Sequence, residues 1–572
     1  MALRPLPLPM SLPLRSLATA LVAGLALAVH ATEPKGAADQ AAETSSLTPQ
    51  ILYQFLLAEI AGGRGQLGFA AGAYVDLARS TRDFRIARRA TEIAFHARQL
   101  EPALEAARIW NEGEPESEAA RQALWTLLAA TNHTDELAGL LIQNLARAGS
   151  NIGPQLLQLH RILANQQDRQ AVLRVVDHVT LPYLTLPEAH FARAQAAQRA
   201  KESLRALAEI DQALQLKSDW EPAILFKVQL LLETPDRAVE ALQGFISRNP
   251  QSGEAKLALA RVLVDAKRYD ESRQAFTALL EGQKDNPELI YAVGLLSMQL
   301  GDITLAESQL RRLLELGQGD QDGAHFYLGQ IAEEGRRWSE AVDLYDQVTP
   351  ISSRFAQARG RAAGLLARQG RIEEARAQLR QGAENSPKDR IVLVVAESKL
   401  LAEAQRFQDA INVLDVALAA SPEDPTLLYE SAMMSDRLSQ YAVLEARLRK
   451  LIKLQPEHAH AHNALGYSLA DRNLRLDEAQ KLIEKALSLA PEDPFILDSM
   501  GWLMFRRGKA AQAEEYLRRA MTLSPDPEIA AHLGEVLWVL NRREEARKTW
   551  DEAIHAHPDN KALAATLKRF SR

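Results

Sequence analysis

The chain has no cysteine. That excludes disulfides, thiolate nucleophiles, thiolate metal sites and lipid attachment at a lipoprotein-type cysteine. It also suits an oxidising compartment such as a periplasm, where an unpaired thiol is a liability. Charge of positive sign is not in excess: the net charge is −7, so the chain as a whole has no attraction for a phosphate backbone, and nucleic acid is not an expected partner. Aromatic residues are few, at 6%, and no alternating strand of useful length stands out. No linker rich in proline, glycine and serine divides the chain after residue 50, although 572 residues exceed one ordinary globular core. Motifs of chemistry are missing too. There is no G-x-S-x-G elbow, no phosphate-binding P-loop and no H-E-x-x-H pair, so neither an enzyme nor a cofactor is expected.

What is present is helical. Hydrophobic residues make up 47% of the chain, and Ala, Leu, Arg, Glu and Gln, all good helix formers, dominate. Six prolines, Pro387, Pro422, Pro456, Pro491, Pro525 and Pro558, recur at intervals of 35, 34, 35, 34 and 33 residues. Between them small residues return in step: Gly466, Gly501 and Gly534 early in three units, then Ala479/Ala486, Ala513/Ala520 and Ala546/Ala553 late in each. A small residue at each of these places lets two helices approach closely, Ile483, Leu517 and Trp550 fill the space between units, and proline ends the second helix. A period of this length implies a helix-turn-helix repeat.

In this order of marks the sequence resembles the tetratricopeptide repeat (TPR) family. The resemblance implies an all-α superhelical solenoid of about fifteen helical hairpins, in which each hairpin buries its apolar face against its neighbours. Residues 49–218 read as degenerate amino-terminal repeats, 219–386 as TPR repeats, 387–558 as regular TPR repeats, and 559–572 as a capping helix. In 117–218 the two-helix rhythm persists without its proline and glycine marks.

Residues 1–31 carry Arg4 and Arg15, an apolar run from Leu17 to Val29, and Val29-His30-Ala31 before a polar stretch. This is the pattern of a secretory signal peptide, with Met10 as an alternative start. Cleavage after Ala31 takes the formal charge from −7 to −9. An uncleaved membrane anchor is the alternative, against which the run falls short of the ~20 residues of a spanning helix. Residues 32–48 are polar and small and read as a flexible tether. The expected location is the periplasm.

His458, His460 and His462 invite a metal reading, since 458 and 462 lie one turn apart on a helix. His460 would point elsewhere and no carboxylate motif accompanies them, so no metal site is assigned. Glu373-Glu374, Glu514-Glu515 and Glu544-Glu545 recur at matching repeat positions, as a solvated helix surface does. The resemblance further implies a groove lined by the second, fifth, ninth and twelfth residues of each first helix. Here these include Tyr429, Met433, Asn463, Tyr467, Asp498, Trp502, Phe505, Glu535 and Trp538, an aromatic stripe with a few polar groups. Aromatics and Met on an open surface suit a site for a peptide or partner helix, because they bury much area at low entropic cost. The competing reading makes some of them core between helices.

The amino-terminal phrases Leu52-Tyr53-Gln54, Ala73-Tyr74 and Ile86-Ala87-Arg88-Arg89-Ala90-Thr91-Glu92 look like proteobacterial envelope TPR proteins. In particular they resemble the outer-membrane lipoprotein adaptor that holds a periplasmic carboxyl-terminal processing protease and recruits cell-wall (peptidoglycan) hydrolases to it. The resemblance implies a scaffold without chemistry of its own. The missing lipoprotein cysteine leaves a soluble adaptor, or outer-membrane association by another route. A component of exopolysaccharide export or outer-membrane assembly is the alternative to this adaptor, with an enzyme built on a solenoid as a remote one against the expectation of no enzyme.

Overall fold

A computed structural model describes residues 48–570 except residues 165 and 167. The expected signal peptide lies outside the described residues, as does the expected tether apart from Thr48. Thr48 itself caps the first helix, its Oγ1 accepting from the Ile51 amide at 3.2 Å. Among the described residues there are thirty-one α-helices and no strand. The chain divides into two compact units, Met1–Asp302 and Ile303–Arg572, a divide that falls inside the 219–386 stretch.

In the first unit the helices pair in order at the start, Pro49–Gly63 with Leu67–Thr81 and Phe84–His96 with Leu100–Gly113. The strict hairpin rhythm relaxes in the 153–185 stretch. There Ile152–Ile162 packs on Glu118–Ala130 and Pro187–Arg199, while Arg169–Thr180 packs on Thr134–Arg147 and Pro187–Arg199.

In the second unit the pairing is regular, and first helices also lie side by side. Pro494–Arg506 packs on its partner Ala510–Leu523 and on the neighbouring first helices Ala459–Asp471 and Pro527–Val539. Entry to these helices is built from short polar caps. Asp424, Asp493 and Asp526 each accept backbone N–H bonds, with Pro425, Pro494 and Pro527 at the first helical turn, which satisfies donors that a helix start leaves open. The ruler prolines stand two residues beyond the second helices, Pro491 after Leu489 and Pro525 after Leu523. A residue without a donor is at home just past a helix end.

The small positions are small for a steric reason. A Cβ on Gly501 would sit 2.6 Å from Leu517 Cγ and 3.2 Å from the Ala513 carbonyl oxygen, and one on Gly466 would sit 2.6 Å from Ile483 Cγ1. Leu517 is fully buried and has nowhere to retreat. Gly501→Ala is therefore expected to destabilise, with about 1–3 kcal/mol of overpacking outweighing the ~1 kcal/mol gained in helix propensity. A denaturation midpoint equal to or above that of the parent would refute this.

A second regularity has no counterpart in residue type. The turn from first to second helix passes through a left-handed residue at Gly65, Arg98 and Asn132, at Lys201, and then at Lys267, Gly301, Arg336, Gly370, Gln405, Ser439, Asn473, Gly508 and Asn541. Within each run the interval is 33 to 35 residues. The repeat thus continues through stretches where the small-residue marks fade. The repeated glutamates lie in ladders between hairpins: Arg542 bridges Glu514 and Glu545, and Arg518 joins the same two carboxylates. These pairs lie at the solvent-facing surface, with Glu514 half-buried, and each contributes about 0–1 kcal/mol.

Candidate functional site

The predicted stripe separates into three parts. At its centre, Trp502 on Pro494–Arg506 is only 6% exposed. Its ring stacks on His532 of Pro527–Val539 at 4.2 Å and 21°, lies 5.2 Å from Phe505, and carries the Arg506 guanidinium at 5.9 Å. Its indole Nε1 donates to Asp471 Oδ1 at 3.1 Å. His532 Nδ1 lies 2.9 and 3.1 Å from the two oxygens of Asp498. Tyr467 closes the group, its ring 6.2 Å from that of His532. Three successive first helices therefore contribute to one constellation.

The flank toward the amino terminus holds Tyr429, Met433 and Asn463, all half-buried. Tyr429 stacks on His458 at 5.5 Å, and Met433 packs on the core around Leu428, Leu448 and Leu465. The Asn463 side-chain Oδ1 is buried without a hydrogen-bond partner. At the carboxyl end, Glu535 pairs with Arg569 of the terminal helix Lys561–Phe570. Trp538 lies 5.9 Å from Trp550 and 5.5 Å from Phe570, with Arg543 and Arg547 over its ring. The structure thus places these two residues in contact with the terminal helix, Glu535 through Arg569 and Trp538 through Phe570.

The three histidines do not converge. His458 caps its helix, Nδ1 accepting from the Ala461 amide; His460 is exposed near Asp493; and His462 is buried with Nε2 on the Pro456 carbonyl.

His532 and Asp471 fall outside the second, fifth, ninth and twelfth positions that the repeat resemblance marks as groove-lining. His532 is the sixth residue of its unit and Asp471 the thirteenth of its own. Both lie beside sampled slots, and counting every residue on the first-helix face would have included them.

Burial alone would push His532 down, yet the Asp498 charge and hydrogen bond, helped by Glu528 and Asp471, hold it above the usual imidazole range. Burial raises the Tyr467 phenol, and Asp471, Asp498, Glu528 and Asp436 add to the shift. A raised folded-state imidazole contributes stability that is fully present below its unfolded value of about 6.5 and is lost as pH rises through the folded value. The carboxyl-terminal unit is therefore expected to lose stability as pH rises above about 6.5 and through the raised folded-state value of His532. His532→Gln should remove that part of the slope. An unchanged slope in denaturation followed by tryptophan fluorescence would disprove the assignment.

Chemically, the constellation offers aromatic area, two carboxylates already engaged by ring N–H donors and an unsatisfied amide oxygen nearby, a surface that can bind and orient a chain segment. Sequence models described as tetratricopeptide repeat match residues 229–296 and 504–569 and, for a second such model, 291–354 and 436–494. A TPR repeat-containing protein of Pseudomonas aeruginosa is 33% identical over 529 residues, covering 90% of this chain and 89% of that protein. Cellulose synthase operon protein C of Pseudomonas fluorescens is 25% identical over 305 residues, 49% of this chain but only 24% of that protein. Among solved structures, a tetratricopeptide repeat protein from Parabacteroides merdae is 18% identical with a TM-score of 0.36, covering 44% of this chain and 98% of its own. A thermophilic TPR protein of Thermus thermophilus is 21% identical with a TM-score of 0.29, covering 31% and 98%.

Proposed function

Because the chain belongs to the tetratricopeptide repeat family, we propose that it is a non-enzymatic adaptor of the cell envelope, holding a periplasmic carboxyl-terminal processing protease and delivering cell-wall hydrolases to it. Its coarser role is that of a protein-interaction scaffold. The observation that carries the binding role is the constellation around Trp502. Around the nearly buried Trp502 and Asp498, the half-buried rings of Tyr467, Phe505 and His532 and the exposed Asp471 come from neighbouring first helices and make a surface that a peptide can cover, and aromatic anchors dominate recognition energies. The amino-terminal phrases around Leu52, Tyr74 and Arg88 support the envelope setting and the protease, and the apolar leader supports export.

A second reading is favoured by the likeness to cellulose synthase operon protein C. On that reading the same solenoid serves an exopolysaccharide export system. Affinity capture from envelope extracts with the mature protein separates the two. Recovery of a processing protease and peptidoglycan hydrolases is the expected result. Recovery of polysaccharide synthesis or export proteins instead would favour the second reading, and recovery of neither, from extracts that contain them, would remove both.

A further inference from the structure

The first helix, Pro49–Gly63, is apolar on both sides. Its inner side buries Ala58 and Ala61, with Ile51, Gln54 and Leu57 half-buried beside them. The other side carries Leu52 (42% exposed), Tyr53 (66%), Phe55 (37%), Leu56 (50%) and Ile60 (53%). At about 100° per residue, these five span an arc of roughly 160°. A helix apolar on both sides suits a buried position, and the outer side of this one meets the described residues only at its edge, where Tyr74 contacts Phe55 and Glu59.

The opposite end of the chain shows what such an end requires. The last hairpin is closed by Lys561–Phe570, which lays Leu563, Leu567 and Phe570 into the cluster around Trp538 and Trp550.

We propose that the exposed face of Pro49–Gly63 is a self-association surface, covered in solution by the same helix of a second copy of this chain. Three observations favour that occupant. The first is area. With about 200 Å² for a large apolar side chain, half-exposed on average, five such residues offer roughly 500 Å². A standard interface takes about 800 Å² from each partner, of which a little over half is non-polar, so the patch matches the apolar share of one side.

The second is charge. A twofold contact sets a surface against itself, so an unpaired charge there would face its like. Glu59 is the only charged residue on this helix, and it is held by the Tyr74 hydroxyl and by Arg89 at 3.7 Å. Two copies of the mature chain, each carrying net −9, repel over most of their surface and least over a face whose one carboxylate, Glu59, is already paired with Arg89.

The third is the poor fit of a lipid surface. Helices that lie in a membrane interface carry Lys and Arg on their polar side, and this one carries neither. Among the described residues no helix is long and apolar enough to cross a membrane.

The proposal is independent of the Trp502 reading. The test uses the mature protein and begins with light scattering over a concentration series. A mass near twice that of the single chain is expected, falling to one chain in the Leu56→Asp/Ile60→Asp double variant while its helical circular dichroism is unchanged. Because the chain lacks cysteine, a single Tyr53→Cys gives a second readout that needs no destabilising change. Mild oxidation should link two copies through residue 53, and should not do so for Leu204→Cys, a site 85% exposed elsewhere. A monomer at every concentration, a dimer indifferent to the double variant, or equal crosslinking at both cysteines would overturn the proposal. So would liposome binding by a monomer that the double variant abolishes.

Discussion

Trp550→Ala is expected to cost about 3–5 kcal/mol, the range for emptying a fully buried aromatic site. Trp550 is 1% exposed, its Nε1 donates to the Ala531 carbonyl at 3.2 Å, and its ring lies 5.3 Å from Phe570 and 5.9 Å from Trp538. It also occupies the space left by Gly534, where a Cβ would collide with the indole. Alanine would therefore empty the site that joins the last hairpin to the terminal helix. In a repeat array each unit touches only its neighbours, so the loss should stay local. Hydrogen exchange is expected to accelerate across 527–570 and to stay near parental in the hairpins before 425. Retained protection across 527–570 would show that the cap does not depend on this side chain.

The second large effect concerns binding. Trp502→Ala should weaken capture of the protein partner by about 2 kcal/mol or more, some thirtyfold, as loss of an aromatic anchor at the centre of an interface does, because it also removes the ring that holds His532 and Phe505 in place. Trp502 is itself well buried, so the alanine variant also leaves a cavity. Trp502→Phe keeps most of the packing but deletes the bond to Asp471, and Phe505→Ala trims a half-buried neighbour. Both should weaken binding by smaller steps. Trp538→Ala is the control: that ring is stacked on Trp550 and packs at a tilt against Phe570, so its removal should reduce stability more than it reduces affinity. If Trp538→Ala abolishes binding and Trp502→Ala leaves it unchanged, the constellation is not the recognition surface.

The hairpins of the second unit were legible in the residues because their causes are local. Asp493-Pro494 starts a helix, Pro491 stands beyond the end of the one before, and Gly501 must face Leu517 because the two helices are joined by a short turn. Turn residues were less legible. Arg336, Gln405 and Lys267 hold the same left-handed conformation as Gly370 and Gly508, without the residue type that would announce it. The packing of the hairpin overrides the preference of the side chain there. In the candidate site, Trp502 and Phe505 could be found by position, whereas Glu535 and Trp538 occupied matching positions and meet the terminal helix.

What the sequence by itself determined, then, is the helical composition, the period and the close contact inside each hairpin, all of which depend on residues a few turns apart on one strand of chain. Only the tertiary structure decided which side chains meet between hairpins. The stack of Trp502 on His532 and the reach of Trp502 to Asp471 join residues about thirty positions apart. Their meeting depends on the offset and rotation between neighbouring first helices. Those come from the packing of whole helices, which no single position records. The exposed face of Pro49–Gly63 has the same origin. Its leucines read as core in any helical pattern, and whether they are covered depends on whether another helix lies beside them.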